Sequence, residues 1–164
     1  MRVVIGRGSC GVAAGAGKIE ELFKAEGFAT GIAGCIGMCY LEPIVDVYDS
    51  DGHGNEAKKT YVNVDEKAAR EIINHVRGQE SEVDKYKLPE EDAAILAGQK
   101  RIALRNCGII NPERIEEYMA CGGYAGLKRA LALTPQEVIE EAKTAGLVGR
   151  GGAGFPTWFK WDAA

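Results

Sequence analysis

Residues 34–49 read GCIGMCYLEPIVDVYD, and the rest of the fold can be built outward from them. The second half, IVDVYD (44–49), is an apolar run that reads as a strand. TYVNV (60–64) reads as another, and the turn signal DGHGN between them predicts a hairpin. Upstream, RVVI (2–5) is a short apolar run expected to form a buried strand, followed by the glycine-rich turn GRGSCG. Residues 14–26 carry Ile19, Leu22 and Phe23 at helical spacing and stop at Gly27. Residues 28–33 are a less marked strand leading back into the quoted stretch. Asp65 is placed to cap a helix over 66–76, whose apolar face is Ala69, Ile72, Ile73 and Val76, with Gly78 as its end. The order β-α-β-β-β-α makes residues 1–78 an α/β unit.

The first half of the quoted stretch carries chemistry. Cys35 and Cys39 are four residues apart in a turn opened by Gly34 and Gly37, so their sulfurs can converge on one metal ion or cluster. The glycines let backbone N–H groups approach sulfur and stabilise its charge. Cys10 lies in the loop after the first strand, where an α/β arrangement can bring it to the same place. A helix N-terminus beside Cys10 would favour its thiolate. Buried, inert cysteines are the plain alternative, because a free Cys packs as a small hydrophobe. A disulfide oxidoreductase would want C-x-x-C, and three residues separate this pair.

Residues 79–100 are charged and read as a linker with little core of its own, and RIALR (101–105) as a short extended segment. The remainder reads as mostly helical. Asn111 and Pro112 suit an N-cap and first helical position, and Thr134-Pro135-Gln136-Glu137 is a fuller start, a capping box with Pro behind the cap. Near the end stands Gly149-Arg150-Gly151-Gly152-Ala153-Gly154-Phe155-Pro156, followed by Lys160-Trp161. Glycines at this density let backbone amides crowd an anion or a flat ring. Arg150 and Lys160 add positive charge suited to phosphate. A glycine-rich tail without a ligand is the alternative.

The whole chain has 164 residues, 46% of them hydrophobic, with 20 basic and 24 acidic side chains and a net charge of -4. Nothing clusters basic charge as a nucleic-acid surface requires. No apolar run reaches the roughly 18 residues of a membrane span. The segment MRVVIGRGSCG has no signal-peptide h-region, so a cytoplasmic location is expected. Five cysteines are an odd number for a disulfide framework.

Two resemblances follow from these motifs. GSCGVAAGA with GCIGMCYLEPIVDVYD resembles the thioredoxin-like [2Fe-2S] ferredoxin domain. That domain occurs in the small subunit of respiratory complex I and at the front of the flavoproteins of multimeric hydrogenases and formate dehydrogenases. The family pattern is C-x4-C … C-x3-C. Cys35 and Cys39 match its second pair and Cys10 the second member of its first pair; the remaining position holds Ile5. Cys107, Cys121, His53 or a partner chain could complete the ligand set, or the domain could be a clusterless docking module.

The stretch from about 103 to 161, LRNCGIINPERIEEYMACGGYAGLKRAL…LTPQEVIEEAKTAGLVGRGGAGFPT…KW, resembles the start of the flavin-binding domain in the NADH-binding 51-kDa-type flavoprotein of complex I and its relatives. The resemblance implies that Gly149, Arg150, Gly151, Gly152, Gly154 and Lys160 belong to an FMN site, with NAD(P)H bound nearby. Trp158 stands where that family usually has Gly.

The expectation is thus an α/β chain: a thioredoxin-like ferredoxin domain (1–78), a linker (79–100), and a mostly helical start of a flavin-binding domain (101–164). The implied function is electron transfer between NAD(P)H, FMN and iron–sulfur centres. The implied partners are other subunits of a multimeric redox complex: a ferredoxin-like small subunit, a hydrogenase or a formate dehydrogenase. Because the chain stops at Ala164, just after the glycine-rich loop, it is expected to be inactive alone and not to hold flavin firmly.

Overall fold

In the computed structural model, which describes residues 1–50 and 56–164, the first half of the chain builds a four-stranded sheet. Its strands are β1 (Arg2–Gly6), β2 (Ala29–Ala33), β3 (Val45–Ser50) and β4 (Glu56–Tyr61), in the order β2-β1-β3-β4. β1 runs parallel to β2 and antiparallel to β3, and β3 is antiparallel to β4. The parallel pair needs a crossover, supplied by α1 (Ser9–Ala13) and α2 (Ala16–Ala25). The turn read from DGHGN lies outside the described residues, as does His53.

Strand alternation sorts the apolar residues onto faces. Val3, Ile5, Val45, Val47 and Tyr61 point to one side, where Ile19 and Phe23 of α2 and Ala68, Ala69, Ile72 and Ile73 of α3 (Glu66–Val76) close the core. Each large aliphatic side chain buried this way contributes about 1.5–3 kcal/mol. Asp65 caps α3, its Oδ1 accepting from the Ala68 N–H at 2.7 Å, and Gly78 follows the helix in the left-handed region at φ 73°.

The last strand differs from the expected 60–64. Ladder pairing with β3 occupies Glu56–Tyr61, whereas Val62, Asn63 and Val64 turn away and donate to the carbonyls of Tyr86, Leu41 and Pro43. These residues leave the sheet because their amides find partners in other segments. Nor are residues 79–100 featureless. A 3₁₀ turn (Val83–Tyr86) buries Val83 in the main core, and α4 (Glu90–Gly98) brings Leu96 against Met38, Leu41, Ile44 and Val62. RIALR forms turns rather than a strand. Asn111 caps locally, its side chain accepting from the Glu113 N–H at 2.9 Å, and α5 (Ile115–Ala120) begins later than Pro112 suggests.

The chain divides into two compact units, Met1–Tyr118 and Met119–Ala164. The second contains α6 (Ala125–Leu131), α7 (Pro135–Thr144) and α8 (Thr157–Asp162). α7 starts with the expected capping box: the Thr134 hydroxyl takes the Glu137 N–H, and the Glu137 carboxylate takes the Thr134 N–H at 2.7 Å.

Candidate metal centre and glycine-rich loop

The end of β1, the first turn of α1 and the loop after β2 meet at one place, and they bring Cys10, Cys35 and Cys39 together. Their sulfurs all lie within 4.8 Å of one another. Cys35 Sγ and Cys39 Sγ are 3.6 Å apart, and the Gly37 N–H donates to Cys35 Sγ at 3.2 Å. Gly37 can aim its amide there because it adopts φ 93°, a conformation that suits glycine. Gly8 permits the approach of the two loops: a Cβ at that position would stand 2.8 Å from Cys35 Cβ.

Around the sulfurs the fold is braced from two sides. Cys39 opens a 3₁₀ turn (Cys39–Leu41), and the Tyr40 hydroxyl next to it donates to Asp92 Oδ1 at 2.5 Å, tying that turn to α4. Arg101 bridges the cysteine loop to the following segment, donating to the Ile36 carbonyl at 3.0 Å and the Cys107 carbonyl at 3.3 Å. Glu42 is buried beside Cys10, whose thiol lies 3.8 Å from Glu42 Oε1, while Oε2 accepts from the Ile44 N–H at 2.9 Å.

The thiols are not equivalent. Burial pushes the Cys10 thiol up to about 12, helped by its contacts with Cys35 and Cys39. The helix-terminus effect read from the sequence therefore loses to desolvation; α1 is a single short turn with little dipole to offer. At Cys35 burial also pulls upward, but the Gly37 N–H and the hydrogen bonds with Cys10 and Cys39 outweigh it, and the thiol lies below its ordinary value. Burial raises the Glu42 carboxyl against the opposing pull of the Ile44 N–H and the Cys10 thiol.

Three sulfurs at this spacing suit a thiolate-preferring metal. Tetrahedral zinc–thiolate geometry places sulfurs about 3.8 Å apart, close to the Cys35–Cys39 separation. Ile5, at the family position of the first ligand, is fully buried in the helix-side core with Val3 and Phe23. The residues present therefore fit three ligands of an iron–sulfur or single-metal site. Cys107 is half-buried, and among the described residues it is not part of the three-sulfur group; Cys121 is exposed in the second unit. Sequence reading passed over Glu42 and Arg101. For Glu42 the signal was present: a lone acid inside the apolar run YLEPIV.

In the second unit the residues 149–154 form a loop closed at its neck. The Gly149 N–H donates to the Phe155 carbonyl at 2.8 Å and the Thr157 N–H to the Leu147 carbonyl at 3.0 Å, with Val148 bridged to Pro156. Gly149, Arg150, Gly151, Gly152 and Gly154 are all exposed along it, and Gly152 and Gly154 take positive φ. Lys160, on α8, places its Nζ 5.5 Å from the centre of the Phe155 ring. Phe159 stacks edge-on against both Phe155 and Trp158. The loop is thus exposed along its length with Arg150 in it, and Lys160 stands on the helix that follows. Among the described residues no helix is long and apolar enough to cross a membrane.

No family model matches the chain. Among characterised proteins it is similar to the HndC component of the NADP-reducing hydrogenase of Solidesulfovibrio fructosivorans, 58% identical over 66 residues, which is 40% of this chain and 14% of that protein. It is 46% identical over 62 residues to an F-type subunit of NADH-quinone oxidoreductase from Rhizobium meliloti, covering 37% of this chain and 15% of the relative. It is 49% identical over 52 residues to the F-type subunit of NADH-quinone oxidoreductase from Escherichia coli, covering 31% of this chain and 12% of the relative. The matched stretches thus span a small part of these relatives' length. Curated homologues of this chain are therefore the F-type subunits of NADH-quinone oxidoreductase and the HndC component of NADP-reducing hydrogenase, each matched over part of its length.

Proposed function

We propose that this chain is the electron-transfer front end of the flavoprotein of an NAD(P)H:acceptor oxidoreductase. Residues 1–78 are a thioredoxin-like ferredoxin-type domain, 79–100 a connecting segment, and 101–164 the first part of an FMN- and NAD(P)H-binding domain. The observation that carries the reading is the convergence of Cys10, Cys35 and Cys39 within 4.8 Å in a chain whose homologues are subunits of NADH dehydrogenase and hydrogenase enzymes.

Cys10, Cys35 and Cys39 would hold a [2Fe-2S] centre, which supplies one-electron transfer when bound. The chain's own contribution is placement and tuning. The Gly37 N–H aimed at Cys35 Sγ stabilises negative charge on sulfur. Arg101 and the Tyr40–Asp92 hydrogen bond hold the loop that carries Cys35 and the turn that carries Cys39. In the second unit, Gly149, Arg150, Gly151, Gly152, Gly154 and Lys160 would line the FMN site, their amides and cations facing phosphate and ring. The partners would be the other subunits of a multimeric redox complex, among them a ferredoxin-like small subunit and a hydrogenase or formate dehydrogenase.

Anaerobically prepared protein should contain iron and acid-labile sulfide and show an EPR signal on reduction. A colourless protein that takes up no iron on reconstitution overturns the iron–sulfur half of this reading. Ile5 supports a second reading, a clusterless docking module for the same partners, because its side chain is committed to the core.

A further inference from the structure

The geometry points to Glu42 as the fourth ligand of the site formed by Cys10, Cys35 and Cys39, a metal centre of three thiolates and one carboxylate. The inference rests on reading those three cysteines as metal ligands. Glu42 is 8% exposed, and among the described residues it makes no ion pair. A carboxylate buried without a cation is costly unless it meets a metal or is fully hydrogen-bonded. One of its oxygens, Oε2, accepts from the Ile44 N–H at 2.9 Å. The other, Oε1, faces Cys10 Sγ at 3.8 Å, at the edge of the three-sulfur group. A carboxylate oxygen and a thiolate on one tetrahedral ion stand about 3.5 Å apart, a separation that Glu42 and Cys10 approach. The carboxylate lies outside the group whose donor atoms are all within 4.8 Å of one another, so completing the set requires it to turn toward Cys35 and Cys39.

The local backbone is built around this carboxylate. A Cβ at Gly6 would stand 2.8 Å from Glu42 Oε2, and one at Gly11 would stand 3.1 Å from the same oxygen and 2.3 Å from the Gly6 carbonyl oxygen. Ile5 has no donor atom to offer, and its side chain lies in the core with Val3, Phe23 and Val45, whereas Gly6 borders Glu42. The donor set of three sulfurs and one oxygen takes a divalent, thiolate-preferring ion or an iron of an iron–sulfur centre. On binding a divalent ion, the three thiols release their protons to solvent and no redox step is involved.

Two probes separate this assignment from the electron-transfer reading. The full chain is titrated anaerobically with Co(II), and separately reconstituted with ferric iron and sulfide. Wild type, Glu42→Gln and Glu42→Cys are compared. Glu42→Gln keeps an acceptor for the Ile44 N–H, so the loop is preserved. The wild type should show tetrahedral cobalt absorption with thiolate-to-metal charge transfer. Glu42→Gln should bind cobalt at least about tenfold more weakly with altered d–d absorption. Glu42→Cys should restore affinity with stronger charge transfer from a fourth sulfur. Cobalt binding that depends on Glu42 while no iron–sulfur centre assembles upholds the ligand and sinks the electron-transfer reading. An iron–sulfur EPR signal that is identical in wild type and Glu42→Gln, with unchanged cobalt affinity, upholds that reading and overturns the ligand. A wild type that binds neither metal overturns the ligand as well.

Discussion

Ile5 stands where the ferredoxin pattern places its first cysteine, and its surroundings say what it does here instead. The side chain is fully buried between the sheet and α2, paired in register with Ile32 and Val45. A thiol at this position would face Val3 and Phe23 rather than Cys10. Ile5→Cys is therefore expected to lose about 1–3 kcal/mol of stability by removing buried aliphatic volume, read as a lower denaturation midpoint. Metal uptake should stay at the wild-type level; a gain in bound iron would show that position 5 does reach the site. Glu42 is the contrasting case, a polar residue enclosed where its neighbours are sulfur and backbone.

At the scale of elements, short local codes do much of the placement. The box at Thr134 and Glu137 is the clearest. Thr134→Ala removes a helix cap and should cost about 1 kcal/mol, seen as lost helicity and faster amide exchange in α7. Hydrogen bonds from the Thr134 N–H and hydroxyl hold the Glu137 carboxyl below its ordinary value. A lowered folded value contributes stability above the unfolded value of 4.5 and loses it as pH falls through the folded value. The protection of α7 should accordingly decline in acid below that point, and a Glu137→Gln variant should lose this dependence. The Tyr40–Asp92 bond belongs to the same scale, since it joins α4 to the turn that carries Cys39.

Across the whole molecule, burial is unequal between the two units. Among the described residues of 119–164 only Ala142 is buried, whereas Leu131, Phe159 and Trp161 are exposed at 78%, 53% and 48%. Local stability follows buried apolar contact. Amide exchange should therefore be slow in β1, β3 and α3 and fast through the second unit; uniform protection across both would contradict this. Acid stability of the first unit should depend on Glu20, buried between Arg7 and Lys24. Burial raises its carboxyl, but the hydrogen bonds and charges of Lys24 and Arg7 outweigh it and hold the group below its ordinary value. That contribution is present above 4.5 and lost as pH falls through the lower, folded value. Urea midpoints measured from neutral to acid pH should fall more steeply in wild type than in Glu20→Gln.

How much of this was legible in the sequence depends on the range of the physics involved. Apolar periodicity and caps act within a few residues, so β1, α2, α3 and the start of α7 could be read directly from RVVI, Ile19 with Phe23, Asp65 and Thr134. The spacing of Cys35 and Cys39, with Gly37 between them, also declared a local turn able to gather sulfur. Other features were decided by partners distant along the chain. Val62–Val64 left the expected strand because Tyr86, Leu41 and Pro43 offered carbonyls. Residues 79–100 became part of the packing because Val83 and Leu96 found apolar surface. By itself the sequence determined the α/β pattern, the helix caps and the Cys35–Cys39 turn, because each is a short-range property. Only the tertiary structure decided that Cys10 joins that turn, that Glu42 is enclosed beside it and that Ile5 faces the other way, because those facts depend on which strand face and which loop the folded chain brings together.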